Sequence, residues 1–137
     1  MSKQMAALAI QGLQAILENH EITSTKLTEY TDHFFAPGIY VRTIFIPAEH
    51  LLVGRRHRHE AINILLKGTV AIINEHGEKI LADAPLIFKS KPGQKAGYSV
   101  TDVWYASVHP NPYDIKDIEE LEREILYPEE HILEVVS

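Results

Sequence analysis

Two histidines one residue apart, His57 and His59, stand in the chemically densest stretch of the chain, Arg55-Arg56-His57-Arg58-His59-Glu60. An apolar run follows and ends on Lys67-Gly68. Along a strand, side chains alternate between faces. That alternation predicts His57, His59, Ala61, Asn63 and Leu65 on one face, with Arg56, Arg58, Glu60, Ile62 and Ile64 on the other. Two imidazoles at adjacent positions of one face can reach a single ion. A metal site needs about three protein ligands, at roughly 2.0–2.2 Å. His57 and His59 supply two, and Glu60, His109 or His50 would complete the set. Two histidines and a carboxylate suit iron and oxygen chemistry. Zinc or manganese there would suit hydrolysis, lysis or isomerisation.

The same stretch offers a second chemistry. Guanidinium groups grip carboxylates and phosphates bidentately. Arg55, Arg56 and Arg58 are three of the five arginines, and Lys89, Lys91 and Lys95 form a second basic group. A pocket lined by His57, His59, Asn63 and Tyr98 and rimmed by Arg55, Arg56, Arg58 and Lys95 would take a small anion. A nucleotide, a phosphorylated metabolite or a carboxylic acid fits that description. Tyr98 and Trp104 offer stacking surfaces, Trp104 being the more natural core residue. The plainer alternative pairs these cations with Glu60 or with the acidic C-terminal region. No Ser-His-Asp arrangement, phosphate loop or dinucleotide glycine fingerprint is present, so no catalytic residue is named.

Strands must position these groups. Residues 38–47 are β-branched, aromatic or apolar, and Pro47 ends that run. The run 61–74 breaks at Lys67-Gly68, and Asn74-Glu75-His76-Gly77 reads as a hairpin turn returning through residues 78–82. Residues 86–89 and 102–109 complete the set, with residues 90–97 as a loop carrying Pro92, Gly93 and Gly97. Short strands at about ten-residue spacing predict an all-β sandwich or barrel. Flanking it, residues 4–19 place Ala6, Ala9, Ile10, Leu13, Ile16 and Leu17 on one helical face, a lid on the sheet or a subunit contact. Residues 114–126 place Ile115, Ile118, Leu121 and Ile125 on another. The apolar tail 131–136 would dock as an edge strand or in a subunit contact.

Composition bounds the rest. The chain has 137 residues, 45% hydrophobic and 23% charged, enough for one domain spanning 1–137 with its own core. It has no cysteine, which excludes disulfides and thiolate chemistry and fits a cytoplasmic setting. A net charge of −6 argues against binding a nucleic-acid polymer. The N-terminal residues do not read as a signal peptide, and no stretch approaches the ~20 apolar residues of a membrane span.

These features together resemble the cupin superfamily. The resemblance covers residues 38–110 and rests on Gly54…His57-x-His59…Lys67-Gly68 and on Ala84-Pro85…Pro92-Gly93 followed by a Trp-bearing strand. More narrowly, the chain is similar to small single-domain cupin-like proteins of tailed phages. It shares their Gly54-Arg55-Arg56-His57 opening, Leu66-Lys67-Gly68 strand end and Asp102-Val103-Trp104 through Val108-His109 strand. The resemblance implies a mainly β, double-stranded β-helix (jelly-roll) barrel with an N-terminal and a C-terminal helix. It also implies a homodimer or other homo-oligomer, and often a divalent metal (Fe, Zn, Mn or Ni) in the barrel mouth. The phage likeness implies sequestration or alteration of a host signalling nucleotide or metabolite in the host cytoplasm. The chain departs from the metal-binding pattern. Where a glutamate ligand is expected it has Asn63 or Ala61, and Gln94-Lys95-Ala96-Gly97-Tyr98 carries no histidine after Gly93. The residues therefore favour a small-molecule-binding barrel. A metal-dependent cupin enzyme (oxygenase, lyase or isomerase) using His57, His59, Glu60 and His109, and a structural, virion-associated barrel, are the alternatives.

Overall fold

The computed structural model describes residues 31–127 apart from 55 and 75. The expected helix 4–19 and the docking tail 131–136 lie outside the described residues. Nine strands and one helix follow in order: β1 (Thr31–Ala36), β2 (Gly38–Ile46), β3 (Leu51–Val53), β4 (Ala61–Lys67), β5 (Thr69–Asn74), β6 (Lys79–Asp83), β7 (Leu86–Ser90), β8 (Lys95–Ser99), β9 (Val103–Asn111) and α1 (Ile118–Ile125). They form two antiparallel sheets, β1-β2-β9-β4-β7 and β3-β8-β5-β6. The fold is the mainly β, cupin-like architecture expected. Among the described residues, no helix is long and apolar enough to cross a membrane.

Alternation along these strands sets what the barrel contains. Tyr40, Arg42, Ile44 and Ile46 of β2 register with His109, Ser107, Tyr105 and Val103 of β9. Asn63 and Leu65 of β4 register with Ser107 and Tyr105 in turn. Ile44, Ile46, Leu65, Val70, Ile72, Ala82, Val103 and Tyr105 form one buried cluster, joined by Leu52, Ile80, Leu86 and Phe88. Leu65 and Val103 are fully buried, each contributing ~1.5–3 kcal/mol of apolar transfer.

Turn chemistry closes the strands as the sequence predicts. The Asn74 side chain accepts the backbone N–H groups of His76 (3.0 Å) and Glu78 (2.9 Å), and Gly77 has φ 82°. Gly68, with φ 91°, joins β4 to β5, and a Cβ there would run into the Asp102 carbonyl oxygen. The Ala84–Pro85 bond in the next turn is cis.

Four elements differ from expectation. Residues 31–36, ahead of the first expected strand, contribute edge strand β1. Residues 51–53 pair as β3. The predicted loop 90–97 ends in β8, which pairs with both β3 and β5. Lys-Ala-Gly-Tyr-Ser has little strand propensity, so its two neighbours impose the conformation. The C-terminal helix begins at Ile118 instead of 114. Asn111 holds the preceding turn, donating from Nδ2 to Ile115 O (2.9 Å) and accepting Ile115 N–H (3.0 Å). The predicted stripe does bury: Leu121, Ile125, Ile115 and Ile118 pack with Tyr40 and Leu126.

Candidate functional site

The His57 segment does not continue β4. His57 makes isolated bridges to Gly93 and to Leu126. Its backbone exchanges two 3.0 Å hydrogen bonds with Gly93, Arg58 N–H donates to Ile125 O (2.8 Å), and Tyr127 N–H donates to Arg56 O (2.9 Å). Clamped between the approach to β8 and the exit from α1, the chain bends at Arg58 and His59. The bend breaks the alternation, so the expected shared face for the two imidazoles does not form. His57 is buried, whereas His59 is exposed.

His57 instead joins side chains from β9 and β2. Its ring stacks on His109 (centroids 5.8 Å apart, planes at 29°), and His109 stacks on Tyr40 (5.9 Å). Tyr40 Oη hydrogen-bonds His33 Nδ1 at 2.7 Å, and its ring stacks on Phe35. One step along the strands lie Arg42, Ser107 and Asn63, all buried. Asn63 Nδ2 donates to Ser90 Oγ (2.8 Å), and Ser107 Oγ donates to Asn63 Oδ1 (3.2 Å). From the facing sheet, Lys95 reaches in and its Nζ donates to Tyr105 Oη at 3.1 Å. These residues form a polar half of the interior, beside the apolar cluster.

Burial and like charge dominate its titration. Burial, then Arg42, lowers the Lys95 ammonium from 10.5 to about 8. Burial pushes Tyr105 well above the usual phenol range, so its hydroxyl stays protonated. His109 is brought down to about 4, mainly by burial, then by Arg42, Lys95 and His59. The His33 imidazole is lowered by burial and by Arg42. His109 is therefore neutral at pH 7, and its buried Nε2 has no hydrogen-bond partner among the described residues. No described carboxylate pairs with Lys95. Buried lysines are rare without a counter-charge.

Two cavities meet at Lys95. One of about 60 Å³ is lined by Ile44, Ile46, Leu52, Val70, Ile72, Val103 and Tyr105. The other, of about 230 Å³, is a cleft at the barrel end, lined by His57, Asn74, Phe88, Ser90, Gln94 and Lys95 among others. A separate cleft of about 220 Å³, carrying His59, His109 and Glu124, lies between the end of β9 and α1.

Asn63, His57 and His109 are buried and Lys95, expected on the rim, reaches Tyr105 inside the barrel, while other named residues lie elsewhere. Arg58 is engaged outside the barrel, its Nε donating to Leu126 O (2.8 Å) and its guanidinium lying 4.9 Å over the Tyr127 ring. Arg56 is exposed, and Arg55 is outside the described residues. Tyr98 registers with Leu51 and Ala71 on the outer face and is exposed, as is Trp104 at 47%. Lys89 pairs with Glu60 (2.9 Å) and Lys91 with Glu78 (2.9 Å), both at the surface. His50 Nδ1 is bound to Ala48 O.

A divalent metal fits this arrangement poorly. The two neighbouring imidazoles are stacked, His59 is exposed, and Glu60 is held by Lys89. Among the described residues no three His, Asp or Glu side chains come together as a metal site. Two cations, Arg42 and Lys95, bear on His109 where a third ligand would stand. Arg42, the chief interior cation, escaped the sequence reading. Residues 39–46 are apolar on both faces, so parity alone could not say which way it points.

No family model and no curated protein matches the chain. Solved structures do. The fold is similar to a cupin superfamily protein from Desulfitobacterium hafniense, with a TM-score of 0.51 and 7% identity over 58% of this chain and 74% of that one. It is similar to KdgF from Halomonas sp. (0.52; 13%; 64% and 79%). It is also similar to salicylate 1,2-dioxygenase from Pseudaminobacter salicylatoxidans (0.55; 12%; 69% and 28%). At such identities the likeness concerns the fold alone.

Proposed function

Starting from a cupin fold, we propose that this chain is a small-molecule-binding protein whose barrel interior holds an anion. The observation that carries the reading is Lys95. Its ammonium lies inside the barrel beside a second cation, Arg42, with no described carboxylate as counter-charge. A bound carboxylate or phosphate would supply that charge, and Tyr105, Ser90 and Gln94 add hydrogen-bonding groups around the same space. The cleft lies below the ~300 Å³ at which drug-sized pockets begin. A small carboxylic acid or phosphorylated metabolite suits it better than a whole nucleotide. On this reading, of the expected rim of Arg55, Arg56, Arg58 and Lys95, Lys95 supplies the charge, together with Arg42.

The test is a thermal-shift and calorimetric panel of small carboxylates and phosphates at pH 7. The reading expects binding that Lys95→Met weakens at least ~10-fold, with the exposed Lys116→Met as control. Equal binding by both variants would refute it.

The protein also acts as a homo-oligomer on this reading. Phe34, Ile39, Ile62, Ile87 and Trp104 are all exposed, and register puts them on the outer face of the five-stranded sheet. So large an apolar face suits an interface. Light scattering would find a dimer or larger species, which Ile62→Asp dissociates. A monomeric wild-type chain would remove this part.

A further inference from the structure

We propose that Lys95 is a nucleophile that forms an imine with a small 2-oxo acid. The inference rests on the anion-binding reading above and deepens it.

Four observations converge on the lysine. Its Nζ stands 3.1 Å from Tyr105 Oη and 5.6 Å from the centre of that ring, a fixed position rather than a solvated one. The small cavity beside it is lined by Ile44, Ile46, Leu52, Val70, Ile72 and Val103, which offer water little to bind. Lys95 also lines the larger cleft of about 230 Å³ at the barrel end, so a molecule seated in it meets the amine. Arg42 adds a positive charge felt at Nζ, which both favours the neutral amine and attracts an anionic substrate. A desolvated lysine next to another cation is the standard arrangement for amine attack on carbonyl carbon. Its lowered pKa, about 8, leaves a useful fraction of free base near neutrality.

The step balances without an oxidant or reductant. The Nζ lone pair bonds to the carbonyl carbon, and the C=O π pair moves to oxygen. That oxygen takes one proton from the attacking nitrogen, relayed by the Tyr105 hydroxyl. A second proton from nitrogen reaches the carbinolamine hydroxyl, which leaves as water while the nitrogen lone pair closes C=N. The Tyr105 hydroxyl suits a relay because burial keeps it protonated. The acid's carboxylate remains in the field of Arg42.

The experiment is reductive trapping of the intact chain. Wild-type protein is incubated with pyruvate and cyanoborohydride at pH 7 and pH 8.5, then digested and mapped by mass spectrometry. The expected result is alkylation of Lys95 at least ~10-fold above the exposed Lys67 and Lys116, increasing with pH and suppressed by excess acetate. Labelling of Lys95 no greater than that of exposed lysines overturns the proposal. Reading wild-type peptides keeps the result independent of any variant's folding. If the acid panel binds through Lys95 but no adduct forms, only the imine fails. If neither occurs, the anion-binding reading fails with it.

Discussion

One residue pair along the strands separates two chemically opposite rows of the same barrel wall. Ile44, Tyr105 and Leu65 lie side by side in one, and Arg42, Ser107 and Asn63 in the next. The first row belongs to an apolar cluster that closes on itself. The second is buried to a similar degree but carries a guanidinium, a hydroxyl and an amide, and beyond it lie two imidazoles and a phenol. Hydrophobic burial accounts for the apolar half. The polar half brings the Lys95 ammonium into a desolvated space with no described carboxylate beside it, which costs stability unless a ligand or a reaction uses the charge. On the proposed reading, the polar half serves binding and the apolar half serves stability.

The contrast is open to attack from both sides. Leu65→Ala, at 0% exposure in the apolar half, should give the largest effect, a loss of about 2–5 kcal/mol in denaturant unfolding with anion affinity per folded molecule retained. A loss under about 1 kcal/mol would mean that the apolar half is not the stabilising one.

Acid should act on the polar half next. The folded-state pKa of His109, about 4, lies below its ordinary 6.5, so between these values the unfolded chain binds more protons. Stability is therefore complete above pH 6.5 and falls as pH drops toward 4, by about 2–3 kcal/mol from this residue. His33 adds a loss of the same sign. Comparing His109→Phe with wild type isolates the His109 part, because the variant's stability profile should be flatter across that interval. Parallel profiles would remove His109 from the buried neutral groups.

Lys95→Met should then stabilise the ligand-free protein at pH 7 by about 1–3 kcal/mol, even as it removes anion binding. The sign follows from the folded pKa of about 8 against 10.5. The unfolded chain binds more protons across that window, so wild-type stability rises with pH there. The variant's advantage is full below pH 8 and gone by about 10.5. A destabilised variant would mean that the Lys95–Tyr105 contact is structural. The smallest effect is expected for Ser107→Ala, about 1 kcal/mol from the lost hydrogen bond to Asn63. A loss above about 3 kcal/mol would show a network more tightly coupled than these distances imply.

How much of this was legible in the sequence depends on what each signal measures. Strands with β-branched runs and clear turns, such as Leu86–Ser90 and the Asn74 hairpin, follow from local propensity. Lys95–Ser99 is a strand because β3 and β5 flank it, which no local pattern records. The site was legible in the same uneven way. Asn63 and His109 lie on regular strands, and alternation places them. His57 and His59 lie on a clamped bend, where alternation has no hold and only the contacts with Gly93 and Leu126 decide direction. Arg42 sits in a run apolar on both faces, so its inward direction depends on pairing with β9. Tyr98 and Trp104, chosen for their rings, take the outer face because their neighbours' parity does.

The most direct measurement is the titration of the Lys95 side chain by NMR, with and without a saturating small carboxylate. The account predicts a midpoint near 8 in the free protein, moving up toward the ordinary 10.5 once an anion shares the interior. A midpoint near 10.5 from the outset, or one that the carboxylate leaves unmoved, would contradict it.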